Sequence, residues 1–310
     1  MRKGPCIFQH SVLLVFAVLT WLPFFFVFNN SFRSNTEMYR AFFGFPKAIR
    51  EAVQSYAKGP DRVEVETDTG DKMDMTGREA AKYYAHQAVK GYPYAWRVIR
   101  PYMINSLVVC LTTAAGVLLL GSLTAYVLSR YRFAGSKALF YFIISTMMFP
   151  GVLTLVPLFL LVKSLGLLNT YWAMILPYMA GGQVFAIFVF KSFFDGLPED
   201  LFESARIDGA GHLQIYLNVV IPLSKPILSV VAIMNILGTW NNFLWPFITN
   251  TENTYHVIAS GLFVMATSPH ASNAAAINAS YMISSLPLLI LFVYATRPFI
   301  QGMTSGAFKA

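Results

Sequence analysis

Leu197-Pro198-Glu199-Asp200-Leu201-Phe202-Glu203-Ser204-Ala205-Arg206-Ile207-Asp208-Gly209-Ala210-Gly211 is an island of charge between two long apolar runs. With Asp195 just before it, the stretch carries five of the chain's fifteen acidic residues. Charge in an otherwise apolar chain gathers where water or a partner protein meets it, so the stretch reads as a docking surface. Its composition predicts helix, turn, helix. Pro198, Glu199 and Asp200 suit a first helical turn, where a fixed φ and negative charge are favoured. The helix should run through Ile207, and Gly209-Ala210-Gly211 permits a sharp, closely packed reversal. A second segment, His212 to Val220, then leads to Ile221-Pro222-Leu223-Ser224-Lys225-Pro226.

Outward from this island the chain is mostly apolar. Hydrophobic residues make up 56 % and charged residues 12 %, the latter about half the usual share of a soluble domain. Six runs approach the roughly 20 residues needed to cross a bilayer: 11–28, 102–129, 138–162, 172–190, 227–249 and 276–296. Buried helices of a soluble protein would show polar faces that these lack. The expected class is an all-α polytopic membrane protein with six transmembrane helices.

Lys and Arg in short loops set orientation. Arg2 and Lys3 precede the first run, Arg130, Arg132 and Lys137 follow the second, and Arg297 and Lys309 follow the last. These place both termini and the loops 130–137 and 191–226 in the cytoplasm. Residues 29–101 fall outside despite twelve bases against nine acids, because loops beyond about 60 residues translocate largely regardless of charge. That segment supplies +3 of the +8 net charge, so the balance is no sign of nucleic acid. The first run is long for a signal peptide, and Phe24 to Asn30 offers no small-residue cleavage site, so it is read as an uncleaved span. The organisation is then 1–28 (N-terminus and first span), 29–101 (extracytoplasmic insertion), 102–296 (membrane core with the 191–226 loop) and 297–310 (cytoplasmic tail). Cys6 and Cys110 suggest neither a structural disulfide nor a metal site.

The insertion reads as a small α+β module. Ile49, Ala52, Val53 and Tyr56 form a helical stripe stopped by Gly59-Pro60. Val63 and Val65, then Met73 and Met75 beyond the Asp68-Thr69-Gly70-Asp71 turn, alternate with charges as a hairpin would. Thr76 and Glu79 form a capping box opening a helix to Lys90, closed by Gly91. The module is either a solvated excursion or a contact for an external partner or substrate.

No Asp, Glu, Lys, Arg or His lies well inside any span, which argues against proton coupling and leaves no acid–base or nucleophile pair at membrane depth. The chain is not expected to be an enzyme or to bind a metal. The polar groups inside are Asn105, Gln183, Asn235, Asn241, Asn242, Asn278 and Tyr281. They suit interhelical hydrogen bonds or a path for an uncharged polyhydroxyl solute. Trp240-Asn241-Asn242-Phe243-Leu244-Trp245 sets amides beside indoles, as sugar faces require, although Trp245 equally suits an interfacial anchor.

Glu203-Ser204-Ala205, Asp208-Gly209-Ala210, Ile221-Pro222-Leu223 and Pro226 together resemble the "EAA" loop of ATP-binding-cassette importer permeases, with Ser204 at the middle alanine position. Ala125 to Phe133, Pro150-Gly151 with Pro157, Leu165 to Thr170 and Gly302 to Lys309 are similar to maltose-type sugar permeases. The resemblance covers about 102–310 and implies a type I importer permease fold in a bacterial inner membrane. It further implies a second permease as heterodimer partner, two ATPase subunits and an extracytoplasmic solute-binding protein. ATP and Mg would sit on the ATPases, with no cofactor on this chain. Glu203, Ser204, Ala205, Asp208, Gly209, Ala210 and Pro222 would form the ATPase-coupling loop. Gln183, Asn235, Trp240, Asn241 and Asn242 are candidates for the substrate path. Tyr255, Phe263 and His270, in an outer loop near 250–275, are candidates for contact with the binding protein. The implied cargo is a sugar or oligosaccharide. A non-sugar solute, or a secondary carrier whose loop matches by chance, remain alternatives.

Overall fold

The computed structural model describes residues 4–67, 71–268 and 273–307, with side chains from 8–67, 71–268 and 273–295. His270, the Asp68-Thr69-Gly70 turn and the end of the tail (308–310) lie outside the described residues. The chain is mostly helical and divides into two compact units, 1–100 with 262–286, and 101–261 with 287–310.

The first unit begins with α1 (Gly4–Asn30), whose apolar side chains are exposed along nearly its whole described length. Such a surface is stable only against lipid or another apolar helix. Next come α2 (Asn35–Arg40), α3 (Lys47–Lys58), an antiparallel hairpin of β1 (Arg62–Glu66) and β2 (Lys72–Thr76), and α4 (Gly77–Val89). The hairpin register pairs Val63 with Met75 and Val65 with Met73, as their alternation predicted. The capping box at α4 is also formed: Thr76 N–H donates to Glu79 Oε2 at 3.0 Å, and Glu79 N–H donates to Thr76 Oγ1 at 3.4 Å. The Thr76 N–H first, and the Thr76 hydroxyl donating to Glu79 Oε2 at 2.9 Å second, hold the Glu79 carboxyl below its usual range by bonding its charged form. Arg33, 1 % exposed, braces α2. Its guanidinium donates to Asn30 Oδ1 and to the carbonyls of Glu37, Ala41 and Phe42. The cation thus binds carbonyls at the C-terminal end of that short helix, where the helix dipole favours positive charge.

Gly91 was expected to close α4, but it opens α5 (Gly91–Arg130) with only Lys90 between. Its small size serves packing instead: a Cβ there would lie 3.2 Å from the backbone carbon of Ala275 and the nitrogen of Ala276. The second apolar run therefore belongs to a helical stretch that starts well before residue 102.

In the second unit the run 138–162 is two helices, α6 (Ser136–Ser145) and α7 (Gly151–Ser164), joined through a tight turn at Thr146–Met148. The bend is 99°. It falls at Pro150, which lacks an N–H and holds Phe149 in extended backbone. Then follow α8 (Trp172–Asp195), α9 (Asp200–Ile207), α10 (His212–Ile215), a wide π turn at Tyr216–Val220, α11 (Ile221–Leu223) and α12 (Lys225–Trp240). The run 227–249 likewise breaks after Trp240. Asn242 Oδ1 accepts from Trp245 N–H at 3.3 Å and starts α13 (Leu244–Thr249). The chain continues through α14 (Ile258–Thr267) to α15 (Ala274–Ala307).

Among the described residues four helical stretches are long and apolar enough to cross a membrane, Phe8–Asn30, Gly77–Arg130, Trp172–Asp195 and Ala274–Ala295, or six if each of two bent pairs forms one crossing. Two cores hold the second unit together. One gathers Tyr126, Phe190, Phe194, Phe202 and Tyr216, and the other Val109, Val162, Met174 and Trp245.

Candidate functional site

The charged island is wired to the end of α5. Arg130, its last residue, has a side chain only 8 % exposed. Nη1 donates to Glu199 Oε2 at 2.7 Å. Nη2 donates to the carbonyls of Phe194 and, at 3.3 Å, Leu197. The guanidinium also lies 3.7 Å from the centroid of the Phe202 ring, a cation–π arrangement. One side chain thereby fixes the end of α8, the Pro198 turn and the start of α9. Asp195 adds a second tie, accepting from Ser129 Oγ at 2.6 Å and pairing with Lys191. Phe202, 1 % exposed, seats α9 in the core. Burying such a ring stabilises by about 1.5–3 kcal/mol.

The turn after α9 is a Schellman motif. Ala210 N–H donates to Ala205 O and Gly209 N–H to Arg206 O, both at 3.0 Å. Gly209 takes φ of +77°, which side-chain-bearing residues adopt at a cost of about 1–3 kcal/mol. Small side chains at Ala205 and Ala210 let both positions pack against the core. Ser204 points its hydroxyl back to Leu201 O at 3.2 Å, so serine serves where alanine would. Gly211 N–H is taken by Gln214 Oε1 at 2.8 Å, starting α10. Pro222 is exposed on α11, where the chain turns by 77° into α12.

The outer face of this knob is what remains. Glu203, Asp208 and Ile207 are exposed, Ile207 at 86 %. Among the described residues neither Glu203 nor Asp208 forms an ion pair. The surface offers two carboxylates around an apolar tip.

Between α8 and α12 lies a groove of about 360 Å3 lined by Tyr178, Phe185, Met234, Asn235 and Asn242, among others. Tyr178 Oη and Asn235 Oδ1 are buried without a protein partner, as is Gln183 Oε1 on the same helix as Tyr178. Gln183 Nε2 is held by Gly116 O at 3.3 Å. Each unmatched buried polar atom costs about 1–3 kcal/mol, and a hydroxyl-bearing solute would recover that.

The remaining candidates are placed as follows. Asn241 is exposed and donates to Leu237 O within its own helix at 2.9 Å. Trp240 is 5 % exposed and does not line the groove. Trp245 is a core residue whose indole donates to Ala173 O at 2.9 Å. Asn105 is fully engaged: it donates to Thr254 O and His256 O, and accepts from Tyr171 Oη at 2.7 Å. Tyr255 stands edge-on to Tyr171 with centroids 5.5 Å apart. Phe263 on α14 is 44 % exposed. Sequence reasoning counted Arg130 only as an orienting charge and did not single out Tyr178. No local pattern marks either, because their roles depend on elements distant in the chain.

A family model described as a binding-protein-dependent transport system inner membrane component matches residues 117–296. The chain belongs to this family, whose members are permease components of ATP-binding-cassette importers and not enzymes. It is 30 % identical over 304 residues to the diacetylchitobiose uptake system permease protein NgcG of Streptomyces coelicolor, covering 97 % of this chain and 88 % of that protein. It is 35 % identical to the arabinooligosaccharides transport system permease protein AraQ of Halalkalibacterium halodurans, over 66 % of this chain and 72 % of that one. A chain of a bacterial ABC transporter involved in import of the acidic polysaccharide alginate shares the fold, with a TM-score of 0.74 at 20 % identity over 96 % of this chain and 99 % of that one.

Proposed function

We propose that this chain is a permease subunit of an ATP-driven importer for a sugar or oligosaccharide, forming the path with a second permease. In this reading the chain crosses the inner membrane six times with both termini in the cytoplasm, and 29–101 is an outer insertion. The knob at 199–211 sits in a cleft of an ATPase subunit, one of two, which hold ATP and Mg. Its exposed Glu203 and Asp208 meet donor groups there, Ile207 fills an apolar seat, and the Arg130 clamp passes ATPase movement to α5 and α8. A soluble binding protein delivers cargo on the outer side, with Tyr255, Phe263 and His270 as candidate contacts. The groove carrying Tyr178 and Asn235 belongs to the cargo path.

The observation that carries the reading is the knob itself: rigidly fixed on its inner face, unpaired in charge on its outer face. The saccharide assignment is supported by the names of the relatives and by a groove whose unmatched groups are uncharged. The test is reconstitution with ATPase subunits and binding protein in vesicles. Saccharide-stimulated ATP hydrolysis is expected for the native chain and none for Gly209→Val or Glu203→Arg at equal membrane insertion. Uptake driven by a proton gradient without ATP would overturn it.

A further inference from the structure

A separate cleft in the first unit shares no lining residue with the knob or the groove. It is about 760 Å3, bounded by α2, α3, β1 and α4, a size typical of small-molecule sites. We propose that this cleft is a binding site for a neutral oligosaccharide, so that the permease itself captures cargo outside the groove between α8 and α12.

Charge balance sets the ligand class. Four carboxylates, among them Glu51 and Glu66, share the lining with four basic side chains, among them Arg40 and Lys47. An anion or cation site would show an excess of one sign. Arg33 is committed to bracing α2, but Arg40 and Lys47 beside Glu51 and Glu66 still supply both donors and acceptors, and each sugar hydroxyl needs one of each. Two tyrosines on successive positions of α4, Tyr83 and Tyr84, stand edge to face with centroids 5.6 Å apart and supply apolar faces with polar tips. Gln87, one turn further along α4, lines the same cleft, and its Oε1 is buried with no partner in the protein. A buried acceptor left open is costly unless a donor arrives. Burial and the nearby carboxylates of Glu51 and Glu66 raise the Tyr84 phenol, keeping it a donor throughout the physiological range.

The inference rests on the saccharide reading of cargo, and its test separates the two. The full chain in lipid nanodiscs is titrated with diacetylchitobiose and maltotriose as neutral probes, and with a mannuronate trisaccharide and de-acetylated chitobiose as charged ones, by ligand-observed NMR. At least one neutral probe is expected to bind, at least tenfold more weakly in Tyr84→Ala and Gln87→Leu and unchanged in Lys58→Ala outside the cleft, with Asn235→Ala in the groove measured alongside. Binding unaffected by both cleft substitutions, or lost only in Asn235→Ala, overturns the proposal, as does preference for a charged probe. Gln87→Leu keeps size and helix propensity, so it reads the cleft even where Tyr84→Ala perturbs folding. Uptake of the same saccharides by cells carrying the intact transporter is measured in parallel. Uptake without cleft binding sinks this inference alone; absence of both sinks the cargo reading with it.

Discussion

In the 197–211 knob the groups that set the turns are answered within the chain, Arg130 Nε being the buried exception. Arg130 takes up two carbonyls and a carboxylate, and the Schellman bonds close the end of α9. In the groove between α8 and α12 the opposite holds, with Tyr178 Oη and Asn235 Oδ1 buried and unmatched. Both regions lie in the same unit and share α8. On the proposed function the knob is a handle that transmits motion and must not deform, and the groove is a path. A path must keep bonding capacity open for what passes. The two regions divide their hydrogen bonding accordingly.

The largest break in this contrast should come from Arg130→Ala. It removes the closer partner of Glu199, the charged donor to the Phe194 and Leu197 carbonyls and the guanidinium over Phe202, so about 2–3 kcal/mol of stability should go, on the scale of hydrogen bonds to charged groups. Thermal unfolding of the purified chain and coupled ATP hydrolysis should both fall, and Arg130→Lys should recover the first only in part because lysine lacks the planar fork. Gly209→Val should cost about 1–3 kcal/mol through the +77° φ, whereas Gly209→Asn should be milder. Equal losses in the two would break the assignment of the turn. Glu203→Arg sharpens the comparison from the other side: stability should change by less than about 0.5 kcal/mol, while coupling is lost. Asn235→Leu should be neutral or slightly stabilising, because it removes an unmatched buried group, yet it should slow uptake; a clear loss of stability would show that Asn235 is structural.

The smallest effect is expected in the first unit, at the α4 cap. Glu79 has a folded pKa below its unfolded value. Its contribution is therefore present above the unfolded value near 4.3 and lost as pH falls through the folded one. Unfolding followed between about pH 6 and 3 should show an acid-dependent loss that Glu79→Gln removes.

Local chemistry made much of this legible in advance. Thr76 with Glu79, and Val63 and Val65 against Met73 and Met75, were readable because a cap and a two-residue period are short-range facts. The same holds for α9 and its Gly209 turn. Gly91 was misread, and two runs taken as single stretches are broken helices. A glycine selected for backbone approach to Ala275–Ala276 looks like a glycine selected for a turn, and hydropathy cannot see a 99° bend at Pro150. Of the candidate path, Asn235 and Asn242 line the groove and Trp240 does not, since which face of α12 is buried depends on α5 and α8.

By itself, the sequence determined the membrane class, the family and the helix–turn–helix of the charged loop. The class and the loop follow from composition, spacing and backbone preference, and the family from the resemblance of its motifs, all carried by neighbouring residues. Only the tertiary structure decided that Arg130 clamps the loop, which amides stay unmatched and where the polar cleft of the first unit opens. Burial and hydrogen-bond satisfaction are properties of residues brought together from distant parts of the chain, and no local pattern encodes them.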